Sequence, residues 1–471
     1  MKKLTAAFAL TGLLLGATPA SAAWTPTQLS QLVSEFESGV SANYNYTAYP
    51  FQFFSLADCY NPGAKCPFPN PDGPYGQPQI DGRYTAATTM GQTDAMVMIM
   101  ETPPQMLYYG VTPYLYTRYY PQVPGQPKGT SATREILESI DDTVDMVDLT
   151  TTGSTTPGVN SFSQLTAIIM TADKTTYSQL KQAFTAINFN AVNQLDMPYK
   201  LVPLKMGTGQ EKYDTYSVMM RMAYPTDATA MQNYINSPPI TFLYLTAKTA
   251  RTVSPLASPT YKVPGDGSSE PSNLQTARDQ LVSQLETQYG SSYTITEQTQ
   301  LDLMQTQNFT CIDTATDCND DNSDAFYTHD VSTWVPTTLQ DKILIVGVNH
   351  VSQGRATYIS HSILNMTHQA GVEAVNQQWF GGSGLTMGGV TSTSDPRYAT
   401  YSQLYAFTMS YDCTGELVCE VIPQPTSTNP VGVTFGDTVG ESFRAYVDPK
   451  TDTRPDSSEL ILQRVFILTK K

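Results

Sequence analysis

Apolar and polar positions recur along the chain with two different periods, and their order sets the first expectations about the fold. Residues 25–38 carry helical spacing and predict a short amphipathic helix, whereas residues 43–79, rich in Pro, Gly, Asn and aromatic side chains, read as a long ordered loop. The apolar run at 94–100 predicts a buried strand that Pro103-Pro104 breaks. Residues 107–120 then form an extended aromatic segment with six tyrosines, at 108, 109, 114, 116, 119 and 120.

Between residues 162 and 248 the two periods alternate in a specific order. Apolar strand spacing at 164–171 gives way to helical spacing at 175–187 and to an extended stretch at 199–206. A strand at 213–224, a short helix at 226–235 capped by Thr226 or Asp227, and a strand at 240–247 follow. The sum is β-α-β-β-α-β, which predicts a split βαβ, ferredoxin-like module with both helices on one face of an antiparallel sheet.

Residues 255–271 are rich in Pro, Gly and Ser and predict a connector. Beyond it the pattern gives a helix at 274–285, a hairpin of strands at 343–350 and 356–363, a helical stretch at 370–379, and strands at 401–411 and 417–422. The glycines at 381–389 read as a loop, since they match no phosphate-binding motif. The expected class is therefore α+β, with a mixed or antiparallel sheet and helices in the second half. The predicted units are 23–155, loop-rich with the Tyr-rich strand; the ferredoxin-like module at 156–254; the connector; and an α+β region at 272–471. The order of elements after Lys342 echoes that after Lys200, which suggests a duplicated module.

The first 22 residues change the picture of where such a chain works. Lys2-Lys3, an apolar stretch from Leu4 to Leu15 and Ala20-Ser21-Ala22 have the order of a secretory signal, and no segment reaches the roughly 20 apolar residues a membrane span requires. Export makes disulfides the expected state of the six cysteines. They fall into three close pairs, Cys59 with Cys66, Cys311 with Cys318 and Cys413 with Cys419, none with CxxC spacing.

Charge narrows the partners. With 42 acidic against 26 basic residues and a net charge of -16, the chain lacks the clustered cations that displace counterions from a phosphate backbone, so nucleic acid is not an expected partner. A 40% apolar content supplies a substantial core.

Candidate chemistry is sparse. All four histidines lie between positions 329 and 368, yet in the expected hairpin His350 and His361 would stand about 20 Å apart, too far to share a zinc ion. His350 closes the most apolar strand, with Arg355 and Tyr358 nearby on that hairpin. The three form a candidate general base, cation and phenol. A hydrogen-bonded structural histidine fits the same position. Tyr114, Tyr116 and Arg118 are the candidate ligand-binding residues of the aromatic strand, whose rings suit a small aromatic or apolar molecule; a plain Tyr-rich sheet with its hydroxyls toward water is the simpler reading of the same strand.

Asp317, Asn319 and Asp321 have the 1, 3, 5 spacing of a calcium loop, but Asn322 and Thr328 stand where an EF-hand needs Gly and Glu. A looser Ca2+ site from these residues and Asp324 is the one cofactor suggested; a solvated acidic loop is the alternative. No GxSxG or HExxH pattern occurs, and adjacent acids such as Asp141-Asp142 lack the facing geometry of a glycosidase pair. Two functions are expected on this basis. One is an exported enzyme acting on a small aromatic or apolar molecule through His350; the other is a non-catalytic exported binding or cell-surface protein with a structural calcium loop.

Overall fold

The computed structural model describes residues 26–61, 69–79, 87–198, 203–210, 212–257, 261–302, 309–318, 321–330 and 333–471. The first half opens with helix α1 (Pro26–Val40) and carries ten main strands: β1 (Tyr44–Tyr49), β2 (Phe51–Phe54), β3 (Tyr75–Pro78), β4 (Ala95–Glu101), β5 (Met106–Tyr120), β6 (Ala132–Ser139), β7 (Leu165–Thr171), β8 (Val192–Asp196), β9 (Thr215–Pro225) and β10 (Ile240–Ala247). Helix α2 (Lys174–Ala186) joins β7 to β8, and α3 (Ala228–Asn236) joins β9 to β10. The second half opens with α4 (Ser272–Gly290). Its ten strands are β11 (Tyr293–Gln298), β12 (Gln300–Asp302), β13 (Ala325–Asp330), β14 (Lys342–Val348), β15 (Tyr358–Asn365), β16 (Ala370–Asn376), β17 (Leu404–Ser410), β18 (Cys419–Val421), β19 (Val439–Tyr446) and β20 (Arg464–Lys470).

Each half folds into two sheets, and the two halves share one connectivity. The first sheet of the first half has the order β1-β10-β4-β7-β8, and its counterpart is β11-β20-β14-β17-β18. The second sheets run β2-β3-β9-β5-β6 and β12-β13-β19-β15-β16, with the two-residue strands Thr88–Thr89 and Val144–Asp145 added to the former. Every neighbouring pair is antiparallel except the last in each first sheet, β7 with β8 and β17 with β18, which are parallel in both halves. A duplicated module is therefore present, but its unit is a whole half. Where α2 bridges the parallel pair in the first half, the second half uses a short loop closed by the Cys413–Cys419 disulfide.

The layering explains the hydrophobic pattern. Leu29, Leu32, Phe36 and Val40, three or four residues apart, place the apolar face of α1 with Leu180 and Phe184 of α2 on Val97, Ile99, Ala167 and Ile169 of the first sheet. Phe36 stacks on Phe184 at 4.1 Å, and burying such a ring contributes roughly 1.5–3 kcal/mol. Asp173 caps α2 by accepting the Thr176 N–H at 2.9 Å. The opposite parity, Met96, Met98, Met100, Ile168 and Met170, meets Tyr109, Val111, Leu115, Val218 and Met220 of the second sheet. Strands buried on both faces read as continuous apolar runs, which is why alternation is faint here. The second half repeats this, with α4 on Leu344, Val346 and Phe466, and Ile343, Ile345 and Phe407 facing Ile359, Ile363 and Phe443.

Several expectations change. The β-α-β-β-α-β order is present, but the ferredoxin-like sheet is not confirmed, because β9 leaves for the second sheet and pairs with β3 and β5. The expected hairpin of 343–350 and 356–363 does not form either. β14 pairs with β17 and β20, and β15 pairs with β16 and β19, so the turn between them carries the chain from one sheet to the other. Residues 370–376 are a strand, with only Gln377–Phe380 helical; the glycine-rich stretch contains a short helix at Ser383–Met387. The strand expected at 199–206 is instead β8, and residues 199–202 lie outside the described residues.

The halves meet through their second sheets. Tyr108 and Ala223 of one pack with Ala325, Tyr358 and Tyr446 of the other, and Tyr108 lies 4.5 Å from Tyr446. Gly110 sits at this contact, where a Cβ would come within 2.6 Å of Tyr108 Oη. Among the described residues no helix is long and apolar enough to cross a membrane.

Candidate functional site

A cleft of about 320 Å³ opens beside this seam, between α3 and the ends of β2, β3 and β9. Its walls are apolar: Phe54, Leu56, Tyr75, Met231 and Ile235, with prolines at 71, 74 and 225. Phe54 and Tyr75 stack at 5.5 Å. Asp72 is the one acidic residue among the described residues lining the cleft.

The local sequence explains how Asp72 is held. Asn70-Pro71-Asp72-Gly73 has turn composition, and the Asn70 side chain accepts the Asp72 N–H at 3.1 Å in an Asx turn. The Asn70 N–H donates to Tyr75 Oη at 2.8 Å, tying the turn to β3. Asp72 Oδ2 accepts from the Tyr358 hydroxyl and from Asn376 Nδ2, both at 2.8 Å, while Asn70 Nδ2 donates to the same phenol at 2.9 Å. The turn belongs to the first half; Tyr358 and Asn376 belong to the second. Burial raises the Asp72 pKa above its ordinary value, outweighing these two donors and the more distant Arg444 charge. The Tyr358 phenol is pushed up as well, by burial and then by Asp72.

Behind the cleft the seam is polar and aromatic. The Arg221 guanidinium lies 5.8 Å from the Tyr75 ring and 5.3 Å from Tyr114, and that of Arg444 lies 5.7 Å from Tyr327. Both arginines are almost fully buried.

The structure separates the residues expected to act with His350. The ring is fully buried, with Nδ1 2.7 Å from Glu270 Oε1 and the ring packed edge-on against Phe443. Arg355 turns to Asp266, at 2.6 Å, and to the Ser268 carbonyl, while Tyr358 goes to Asp72. The separation of His350 and His361 derived from a hairpin is corrected too, because both rings pack on Phe443, with centroids at 5.7 and 5.0 Å. His361 bridges Glu441, 2.7 Å from Nδ1, and Tyr405, 2.8 Å from Nε2. Burial holds His361 well below the ordinary histidine range and pushes Glu441 up to about 8, so the pair sits as neutral imidazole and carboxylic acid.

Tyr114, Tyr116 and Arg118 do not line the cleft. Tyr114 donates to the Asp321 carbonyl, Tyr116 donates to Glu135 at 3.0 Å, and Arg118 grips Asp214 through Nε at 2.9 Å and Nη2 at 2.6 Å. The expected calcium ligands have the following surroundings. Asp317 is exposed, Asn319 lies outside the described residues, and Asp321 accepts from the Ser139 N–H and hydroxyl at 2.6 and 2.7 Å. Asp324 accepts from Tyr108 at 2.9 Å. Two disulfides, Cys311–Cys318 and Cys413–Cys419, match the expected pairs; Cys59 is disulfide-bonded, and Cys66 lies outside the described residues.

No family model matches the chain, and no curated protein matches it. Among solved structures, an uncharacterized protein from Burkholderia cenocepacia aligns over 93% of this chain and 86% of its own at 12% identity, with a TM-score of 0.35. The VPA0106 protein from Vibrio parahaemolyticus aligns over 94% and 96% at 8% identity, with a TM-score of 0.36.

Proposed function

We propose that this is an exported, non-catalytic binding protein for a small molecule with an apolar or aromatic body and one amine or other hydrogen-bond donor. The observation that carries the reading is that Asp72 is the one acidic residue lining a largely apolar cleft of about 320 Å³, a size that suits a small ligand. Oδ2 is committed to Tyr358 and Asn376, so the reading assigns the ligand's donor to Oδ1. Burial raises the Asp72 pKa, and a cationic group arriving beside the carboxyl would favour its ionised form. Disulfides and the signal-like first 22 residues support export. Catalysis by His350 has less support, since its ring is enclosed and neither Arg355 nor Tyr358 reaches it.

Calorimetric titration with a series of arylalkylamines, starting with phenethylamine, tests this. Saturable binding that Met231→Trp blocks by filling the cleft, and that Asp72→Asn weakens, is the expected result. The reading fails if no member binds, or if binding is indifferent to both substitutions.

A further inference from the structure

A second polar centre lies where the two halves join, away from the cleft. Asp145, on the short strand Val144–Asp145, stands opposite Gly110 of β5, and Asp148 follows in the next turn. From the other half comes Asp452, in a turn where its backbone takes φ 56, a conformation Asp and Asn tolerate. Asp145, Asp148 and Asp452 each offer one carboxylate oxygen, and the three oxygens lie within 4.8 Å of one another. Two oxygens on one calcium ion, each at 2.3–2.6 Å, stand at most about 5 Å apart, so this spacing lets all three reach a single ion.

The arrangement is more than an accumulation of acids. Asp145 is fully buried; its Oδ1 accepts the Val147 N–H at 2.5 Å, Oδ2 is buried with no N–H or hydroxyl donor, and the carboxyl stands within hydrogen-bond reach of that of Asp324. Asp452 Oδ1 is buried without a partner as well. An orphaned carboxylate oxygen is costly in a protein interior and calls for a cation or a proton. One cation is already nearby: Lys262 Nζ reaches Asp148 Oδ2 at 3.0 Å and Asp452 Oδ2 at 2.7 Å, so its ion pairs go to these two and not to Asp145. Asp324 adds a fourth carboxyl, close enough for its charge to bear on Asp145, and it is anchored by the Tyr108 hydroxyl at 2.9 Å. Four carboxyls against one ammonium leave an excess of negative charge in a site of oxygen donors only, which favours a hard divalent ion over zinc or copper.

We propose that Asp145, Asp148 and Asp452, with Asp324 beside them, form a calcium site that clasps the first half to the 448–453 turn of the second. The site shares only Asp324 with the set expected from sequence spacing. The ion satisfies Asp145 Oδ2 and Asp452 Oδ1 together and bridges residues more than 300 positions apart.

The test uses the full-length protein stripped with chelator and titrated with CaCl2 alone, read by calorimetry and by thermal unfolding. Saturable heat and a midpoint that climbs with calcium concentration are expected, since an ion bound only by the folded state stabilises it. Asp452→Asn, which keeps the shape and the left-handed turn, lowers affinity by roughly tenfold or more while leaving the calcium-free midpoint near that of the parent. Should that variant fold poorly, Asp148→Asn takes its place with the same expected loss. Asp317→Asn, in the exposed disulfide loop, leaves affinity unchanged. No heat and no midpoint shift in millimolar calcium overturns the proposal, as does a response abolished by Asp317→Asn but kept in Asp452→Asn.

Discussion

Arg221 and Arg444 hold matching places in the two halves. Arg221 of β9 pairs in register with Tyr75 of β3, and Arg444 of β19 pairs with Tyr327 of β13, so each guanidinium lies over the tyrosine directly across from it. The correspondence extends the shared connectivity down to single side chains, although the sequences around the two arginines differ. Such pairs put a charge into a buried seam at little cost, because a planar cation on an aromatic face keeps part of the stabilisation it had in water.

Replacing Arg444 with Lys should therefore not be conservative. A point-charge ammonium cannot both stack on Tyr327 and reach Ser362 Oγ, which Nη1 contacts at 3.3 Å. The expected loss is about 2 kcal/mol. It would be read from the midpoint and slope of urea unfolding, and an unchanged curve would remove the role given to the pair.

Arg118 and Asp214 form a bidentate pair with both side chains buried. Asp214→Ala leaves a buried, unmatched cation and should cost about 3–5 kcal/mol, whereas a double replacement by apolar residues should cost less than the single one. Equal losses in single and double variants would contradict this.

Stability should fall as pH rises from about 6.5 to 8.5. Glu441 has its folded pKa raised from 4.5 to about 8 by burial, so the folded state holds a proton that the unfolded chain has already lost. That contribution is full below the unfolded pKa and disappears as pH climbs through the folded one. His361 works in the opposite sense, since its depressed pKa favours the folded state increasingly up to about 6.5, so the two oppose each other below that pH. Glu441→Gln should flatten the thermal midpoint between pH 6.5 and 8.5, and a profile as steep as the parent's would assign the slope elsewhere.

His350→Ala should behave as a core deletion. The ring is fully enclosed against Phe443 and bonded to Glu270, so its removal opens a cavity and strands a carboxylate, at a cost of about 2–5 kcal/mol in denaturant unfolding. Arylalkylamine binding, scored per folded molecule, should be unchanged. A stable variant that had lost binding would return His350 to the functional site.

Much of the element order was legible because helices α1, α2 and α4 keep clean apolar spacing and the strands are long apolar runs. Sheet membership was not. Strands β14 and β15 are apolar on both faces, so no alternation records which neighbour each takes, and a turn that changes sheets looks like one that closes a hairpin. The candidate cleft was hidden for a related reason. Asp72 sits in a Pro/Gly-rich stretch whose Asn70-Pro71-Asp72-Gly73 signature announces a turn, but its partners Tyr358 and Asn376 lie 286 and 304 residues away. Asp145 and Asp452 each lie in a loose run of acids, 141–148 and 448–459, and nothing in either run announces that the two meet from more than 300 positions apart.

The strand order has a consequence for how the chain acquires its structure. In each half the first strand lies against the last, β1 beside β10 and β11 beside β20. Emerging N-terminus first, the chain holds Tyr44–Tyr49 without its neighbour until residue 247 has appeared, and the same wait recurs in the second half. Each half is thus sealed by its own closing strand, so folding should proceed as two slow, sequential events of high contact order.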